Sequence, residues 1–273
     1  MSTIDSPAIG TATINAVSVD CPAKTNLTLH VGPSHAEWGG RHELDTIYCA
    51  VGVYDTVTAT RKAPGSGFSL NLEGAYLGDL ASSGSDMRRN HAVLALFAMA
   101  EASGHEPDVA LNMARVGADM PFCLTGGYAR GTGFGERIEQ LDDDGDIVRD
   151  LTERGFTGHL LVGAYRAELR TPEVYATFDQ IGAGDGDENH LQKAAVSLHP
   201  RSGQAIEEAL RAGASQAFVS GSGPSVIAFV PTEDAADAED AADAVQRAWQ
   251  DSRCVDRIIA TNAPARPIVH ITA

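Results

Sequence analysis

Seven consecutive residues, Ile47-Tyr48-Cys49-Ala50-Val51-Gly52-Val53, form a nearly continuous apolar run bounded by Thr46 and by Tyr54-Asp55. A run of this length, rich in β-branched and aromatic side chains, suits a strand buried on both faces. It predicts a sheet with cover on each side. The sequence before it alternates: Val17, Val19 and Cys21 with Ser18 and Asp20, then Leu27, Leu29 and Val31 with Thr28 and His30. Val57–Ala59 and Phe68–Leu72 continue the strand pattern, with Pro64-Gly65 as a turn between them. The first helix signal is Asn90–Ser103, with Asn90 as N-cap, Val93, Leu94, Phe97 and Ala100 on one face, and Gly104 as the stop.

Further along, a strand is expected at Val109–Asn112, followed by a compact loop, Gly117-Ala118-Asp119-Met120-Pro121-Phe122. Five glycines between Gly126 and Gly135 suggest a strand and turn, and Asp142–Asp146 reads as an acidic linker. A domain boundary is placed near residue 157, giving domains 1–157 and 158–273. After it come a strand at His159–Tyr165, a helix opened by Thr171 as cap and Pro172 at its first position, and further helices through Leu210. Two strands then flank Ser220-Gly221-Ser222-Gly223-Pro224, a long helix runs from about Glu233 to Gln250, and strands at Arg257–Ala260 and Ile268–Thr272 close the chain. The repeated Asp-Ala-Ala-Asp-Ala of residues 234–244 reads as a solvated helix face, because alanine favours helix and acids favour its N-terminal end. The fold class that results is α+β, in two domains.

Charge narrows the function. Lys and Arg number 20 against 37 Asp and Glu, for a formal net charge of −17. That balance argues against nucleic acid, whose phosphates need clustered Lys and Arg, and it disfavours an anionic membrane surface. A phosphorylated small molecule would have to be held by local N–H groups and a few placed cations. The longest apolar run, Ala92–Ala100, falls well short of the roughly 20 residues of a membrane helix, and no basic-then-apolar leader opens the sequence, so a soluble cytoplasmic protein is expected. Cys21, Cys49, Cys123 and Cys254 show no C-x-x-C pair and no zinc spacing, and are read as reduced, mostly buried thiols. Gln140 and Leu151 stand where a calcium loop centred on Gly145 needs its first and last ligands, so that motif fails, and no metal site is expected. No nucleophile elbow, zinc-protease or Walker motif is present.

Three segments carry chemistry: Pro22-Ala23-Lys24-Thr25-Asn26-Leu27, Gly117–Phe122 and Gly221-Ser222-Gly223-Pro224-Ser225. Asp119, set between Ala118 and an apolar Met-Pro-Phe, is expected to be partly buried and to need a cation. Pairing with Lys24 serves equally as a structural salt bridge or as a pair for phosphoryl transfer, the carboxylate taking the attacking hydroxyl's proton and the ammonium holding it ionised. The glycine turn serves as a tight corner or as an anion nest. His42, in Arg41-His42-Glu43-Leu44-Asp45-Thr46, serves as a hydrogen-bonded structural residue or as a ligand contact.

Together and in this order, these segments, with Thr171-Pro172-Glu173-Val174-Tyr175, resemble the GHMP kinase superfamily over about residues 14–261. The resemblance implies an N-terminal domain like the second domain of ribosomal protein S5 and a ferredoxin-like C-terminal domain. It assigns Lys24 and Asp119 as the catalytic pair. Asn26, Arg41, His42, Thr171, Gly221, Ser222 and Gly223 become substrate contacts, with Arg41 standing where an aromatic residue usually stacks on cytosine. The implied cofactors are ATP with Mg2+, and the implied reaction transfers the γ-phosphate to the 2-hydroxyl of a cytidine-diphosphate-linked methylerythritol in non-mevalonate isoprenoid biosynthesis. The partner is then a small molecule, and the resemblance leaves room for a homodimer.

One departure stands out. The superfamily's glycine- and serine-rich loop, whose N–H groups and helix end cradle the ATP phosphates, belongs between the strand ending near Met113 and Gly117, where this chain has only Ala114, Arg115 and Val116. The nucleotide contacts are therefore unassigned. Two readings follow: a kinase whose backbone donors lie elsewhere, or an impaired relative that serves as a binding or partner protein.

Overall fold

The structure is a computed structural model that describes residues 14–74, 90–114, 122, 125–186, 188–231 and 235–272. In chain order its elements are β1 (Ala16–His35), a 3-10 turn (Ala36–Trp38), β2 (Arg41–Arg61), β3 (Ser69–Glu73), α1 (His91–Ser103), β4 (Val109–Ala114), β5 (Tyr128–Thr132) and β6 (Arg137–Gln140). Then follow α2 (Asp146–Glu153), β7 (Gly158–Ala164), α3 (Thr171–Ile181), α4 (Gln192–Leu198), α5 (Pro200–Arg211), β8 (Gln216–Val219), β9 (Val226–Phe229), α6 (Ala235–Ser252), β10 (Arg257–Ala263) and β11 (Ile268–Thr272). The α+β class expected from the sequence is observed. No described helix is long and apolar enough to cross a membrane.

Two compact units divide the chain, one built from residues 1–21, 54–117 and 268–273, the other from residues 22–53 and 118–267. This division cuts the chain at other places than residue 157, because β1 and β2 each run through both units. In the first unit β11 lies antiparallel to the start of β1, from Ala16 opposite Thr272 to Asp20 opposite Ile268. The end of β2 pairs antiparallel with β4, and β3 joins β4 in parallel. Asn90 caps α1 by accepting from the Ala92 N–H at 3.0 Å, and Gly104 ends it in the left-handed conformation at φ 68°, both as expected. The expected apolar face is corrected at one position: Val93 is fully buried, but Leu94 is 52% exposed. A step of 100° puts Leu94 outside the stripe that Val93, Phe97 and Ala100 share.

In the second unit the first half of β2 pairs antiparallel with β5, from Thr46 opposite Gly131 to Cys49 opposite Tyr128, and β5 turns back into β6. A separate antiparallel sheet has the strand order β10-β7-β9-β8, all formed by residues after 157. Its core includes Phe156, Leu160, Phe218 and Phe229, and it meets the apolar run of β2 at Cys49 and Val51. On α6, Trp249 is fully buried and donates Nε1–H to the Ala205 carbonyl at 2.8 Å, while Glu239, Asp240 and Asp243 face solvent.

Three local expectations are corrected here. The strands read separately at 17–21 and 27–31 are one strand, so Lys24 lies within β1 and not at a strand start; a proline such as Pro22 ends a strand only where the ladder needs its N–H. The acidic linker is in part a helix: Asp142 and Gly145 form a turn, and α2 follows because Val148 and Leu151, three apart, bury one face. Thr171 starts α3, but the N-cap residue is Arg170, and the Thr171 hydroxyl is turned toward Ser222 instead of the helix end.

Candidate active site in the second unit

Alternation along β1 puts Lys24, Asn26 and Thr28 on one face and Thr25 and Leu27 on the other. The Lys24 ammonium donates to Asn26 Oδ1 at 2.9 Å, and Asn26 Nδ2 donates to the Thr46 hydroxyl at 2.7 Å. Thr46 in turn donates to the Thr28 carbonyl at 2.6 Å. Asn26 and Thr46 are 3% and 0% exposed, so this chain of bonds is sealed from water. The Tyr48 ring lies beneath the ammonium, 5.7 Å from Nζ to the ring centroid. Burial pushes the Tyr48 phenol above its ordinary range, so the neutral ring is what Lys24 meets.

The glycine turn closes over this pair. Gly221 has φ 58°, and a Cβ there would sit 3.1 Å from Asn26 Oδ1 and 3.6 Å from Lys24 Nζ. Only glycine combines that backbone conformation with so close an approach. On the opposite face of β1, Thr25 donates to the Ser220 hydroxyl at 3.0 Å, tying strand to turn a second time. Within the turn the Gly223 N–H is used by the Ser220 carbonyl at 2.9 Å, whereas the Gly221 and Ser222 N–H groups meet no acceptor among the described residues. Two N–H groups without such an acceptor, in a turn beside an ammonium, are suited to phosphate oxygens.

Asn189 holds the turn from behind, and no sequence signal marks it. It is 2% exposed, its Nδ2 donates to the Val219 and Gly221 carbonyls at 2.8 and 2.7 Å, and its Oδ1 accepts from the Leu191 N–H at 3.0 Å. The same segment is stitched to β1 by Leu29 N–H to the Glu188 carbonyl and His190 N–H to the Leu29 carbonyl. A lone asparagine in a polar stretch has no periodicity to mark it as buried.

His42 is enclosed by α3. Its Nδ1 lies 2.9 Å from the Gly32 carbonyl, which can only accept, so Nδ1 carries a proton. Nε2 is 3.3 Å from the Asp179 carboxylate, Tyr175 stacks on the ring at 5.2 Å, and Phe178 meets it edge-on at 6.1 Å. Burial pushes the Tyr175 phenol up to about 12, which keeps this stacking ring neutral. Thr171, one turn before Tyr175, has its hydroxyl 3.2 Å from that of Ser222, so α3 links the His42 cage to the glycine turn. Arg41 lies apart from that cage, with its guanidinium 4.6 Å over the Phe134 ring. Trp38 meets Phe134 at 5.8 Å.

The structure thus brings together Lys24, Asn26 and Gly221, and separately Thr171 with Ser222. Asp119 lies outside the described residues, as does Cys123. From the same segment Phe122 is described: it is 1% exposed and packs on Tyr48 at 5.6 Å, the ring that also underlies Lys24. Among the described residues no cluster of three or more His, Cys, Asp or Glu could hold a metal ion.

Comparison with known proteins places the chain in a family. The model of the C-terminal domain of GHMP kinases matches residues 174–251. A solved 4-(cytidine 5'-diphospho)-2C-methyl-D-erythritol kinase superposes with a TM-score of 0.63 at 19% identity, covering 91% of this chain and 99% of that one. A homoserine kinase from Cytophaga hutchinsonii superposes with a TM-score of 0.65 at 13% identity, covering 95% of this chain and 99% of that one. The fold is that of the GHMP kinase class. The 4-diphosphocytidyl-2-C-methyl-D-erythritol kinase of Bifidobacterium adolescentis is 84% identical over 314 aligned residues, spanning 100% of both chains. That of Streptomyces avermitilis is 33% identical over 82% of this chain and 91% of its own. The chain belongs to the 4-diphosphocytidyl-2-C-methyl-D-erythritol kinase family. Its alignment with the Bifidobacterium adolescentis relative has 314 positions against 273 residues here, so 41 positions have no counterpart in this chain.

Proposed function

We propose that this protein phosphorylates the 2-hydroxyl of 4-diphosphocytidyl-2-C-methyl-D-erythritol with MgATP, in the cytoplasm, as a step of non-mevalonate isoprenoid biosynthesis. The observation that carries this reading is the meeting of the Lys24–Asn26 pair with the Gly221 turn, 195 or more residues further along the chain, within contact distance of it. In this reaction the substrate hydroxyl oxygen bonds to the γ-phosphorus, the bond from that phosphorus to the β,γ-bridging oxygen breaks, and ADP leaves. The hydroxyl proton passes to Asp119. Lys24 places positive charge where phosphoryl charge builds up, and Asn26 fixes the ammonium by accepting a hydrogen bond from it. The Gly221 and Ser222 N–H groups face the substrate phosphates, while His42 with Tyr175 holds the base and Arg41, seated over Phe134, is a further substrate contact. Mg2+, when bound, would be held by the nucleotide phosphates and water and would neutralise phosphate charge. The division at residue 157 is proposed as the functional one, supported by the family-model match and the four-stranded sheet, which both fall after it. A homodimer is proposed as the assembly on the same resemblance.

A second reading is favoured by one observation, the three residues between Met113 and Gly117 where a phosphate cradle belongs. In it the chain keeps the fold and the substrate side but does not hold ATP, and acts as a binding protein. The deciding experiment is MgATP-dependent phosphorylation of 4-diphosphocytidyl-2-C-methyl-D-erythritol by the purified chain, with Asp119→Asn as the blank. Turnover above the blank is the expected result. No turnover from a folded chain, with no MgATP binding by calorimetry, overturns the kinase reading in favour of the second.

A further inference from the structure

A side-chain amide has two orientations that exchange its oxygen and nitrogen, and the neighbours of Asn26 select one. The Thr28 carbonyl can only accept, so the single hydroxyl proton of Thr46, 2.6 Å away, is directed to it. Thr46 Oγ1 then has lone pairs alone to offer Asn26, 2.7 Å away, and the amide must present Nδ2 there. Oδ1 is left facing the Lys24 ammonium at 2.9 Å. The Thr28 hydroxyl accepts from the Ile47 N–H at 3.1 Å, which locks β1 against β2 at this point and keeps the Thr28 carbonyl in place. With Thr46 fully buried, no water can take over its part.

We propose that Thr46 is a positioning residue of the phosphoryl-transfer site, acting through Asn26 to hold the Lys24 ammonium at its working position. This rests on the kinase reading above. Without the hydroxyl, the Asn26 amide loses the partner that fixes its sense. The inverted amide would aim two N–H protons at an ammonium, which drives Lys24 away from the Gly221 turn. Thr25 does not duplicate the role, because its hydroxyl reaches Ser220 on the other face of β1.

Thr46→Val keeps the shape and removes the hydroxyl, and Thr46→Ser keeps the hydroxyl. The expected result is a kcat lowered roughly 10- to 100-fold in Thr46→Val, the cost of an ångström-scale misplacement of a positioning group, with both KM values little changed and with rescue in Thr46→Ser. In an Asn26→Ala background Thr46→Val should add nothing further. Wild-type-like turnover in a folded Thr46→Val, or a Thr46→Ser as slow as Thr46→Val, overturns the proposal. A second measurement needs neither variant nor activity. In the wild-type protein, nuclear Overhauser contacts should run from the Asn26 amide protons to the Thr46 side chain and not to the Lys24 ε-methylene, and the reverse pattern overturns the proposal. A wild-type chain without turnover would sink the kinase reading instead, with the Asn26 orientation still decided by the amide contacts.

Discussion

Replacing Asn189 by leucine keeps most of the side-chain volume and deletes every polar contact it makes. The Val219 and Gly221 carbonyls, at 2.8 and 2.7 Å from Nδ2, lose a buried donor, and the Leu191 N–H loses its acceptor at 3.0 Å. A buried polar group left without its partner costs about 1–3 kcal/mol, and carbonyls sit toward the low end of that range because they tolerate under-satisfaction better than N–H groups. Three such groups give an expected loss of about 3–5 kcal/mol, a large part of the ~5–15 kcal/mol that holds a domain folded. At roughly 2–4 °C per kcal/mol for a chain of this size, the melting temperature should fall by about 6–20 °C. Urea unfolding followed by Trp249 fluorescence measures the loss directly. Asn189→Asp is the informative companion: it keeps an acceptor for Leu191 but points a carboxylate at two carbonyls. It should be at least as unstable at neutral pH and recover as the pH falls, since only the protonated carboxyl can donate. If Asn189→Leu unfolds within about 0.5 kcal/mol of wild type, as an inconsequential surface change would, the idea that Asn189 holds the glycine turn is refuted.

Two further outcomes follow from the same geometry. Gly221→Ala forces a side chain into φ 58° and puts its Cβ 3.1 Å from Asn26 Oδ1, so a loss of about 1–2 kcal/mol in thermal unfolding should accompany a larger proportional loss of turnover; retention of full turnover would show that the turn does not need to approach Lys24. His199 is lowered from its ordinary range by desolvation first and the Arg201 charge second, with Asp256 opposing. Its Nδ1 donates to the Ser202 hydroxyl at 2.9 Å, which itself donates to the Pro224 carbonyl at 2.6 Å, an arrangement that the neutral ring satisfies. Between the folded and unfolded values the unfolded chain binds more protons, so stability rises with pH. The contribution is present above the unfolded value of about 6.5 and is lost as pH falls through the lower folded value. His199→Gln should flatten urea midpoints across that window, and an unchanged slope would assign the acid loss to other groups.

What the sequence made legible was what local chemistry decides. Asn90 and Gly104 delimit α1 because a cap and a left-handed stop act within a turn of themselves, and the strand at residues 47–53 stood out because burial on both faces removes polar residues from it. Lys24, Asn26 and the Gly221 turn could be singled out as segments, but their contact depends on β1 lying beside the β8–β9 corner, and no spacing in the chain encodes that. Asn189 and Thr46 were illegible as site residues for a related reason. Each works through hydrogen bonds to groups distant in the chain, and an isolated polar residue looks the same in a loop as in a sealed network. The helix α2 was hidden by composition: a run of aspartates reads as solvated linker until Val148 and Leu151 find a core to enter.

The three-residue connection between Met113 and Gly117 bears on one side of the proposed reaction only. Lys24, Asn26, His42, Tyr175 and the Gly221 turn are all in place; Lys24 is proposed to meet the transferred phosphoryl group and the others the acceptor alcohol and its phosphates. The residues between Met113 and Gly117 are where a nucleotide phosphate cradle would enter the sequence. A single backbone donor aimed at a developing oxyanion is worth about 2.7–4 kcal/mol, a factor of roughly 100–1,000, and a cradle supplies several. The loss should therefore fall on kcat/KM for ATP and leave KM for the alcohol alone. Inserting a glycine- and serine-rich segment of the superfamily type between Ala114 and Gly117 should raise kcat/KM for ATP by at least about 100-fold, with the alcohol's KM unchanged. If the chain without the insert already matches the chimera, its ATP phosphates are held by donors elsewhere in the fold, and the three-residue connection costs this kinase nothing.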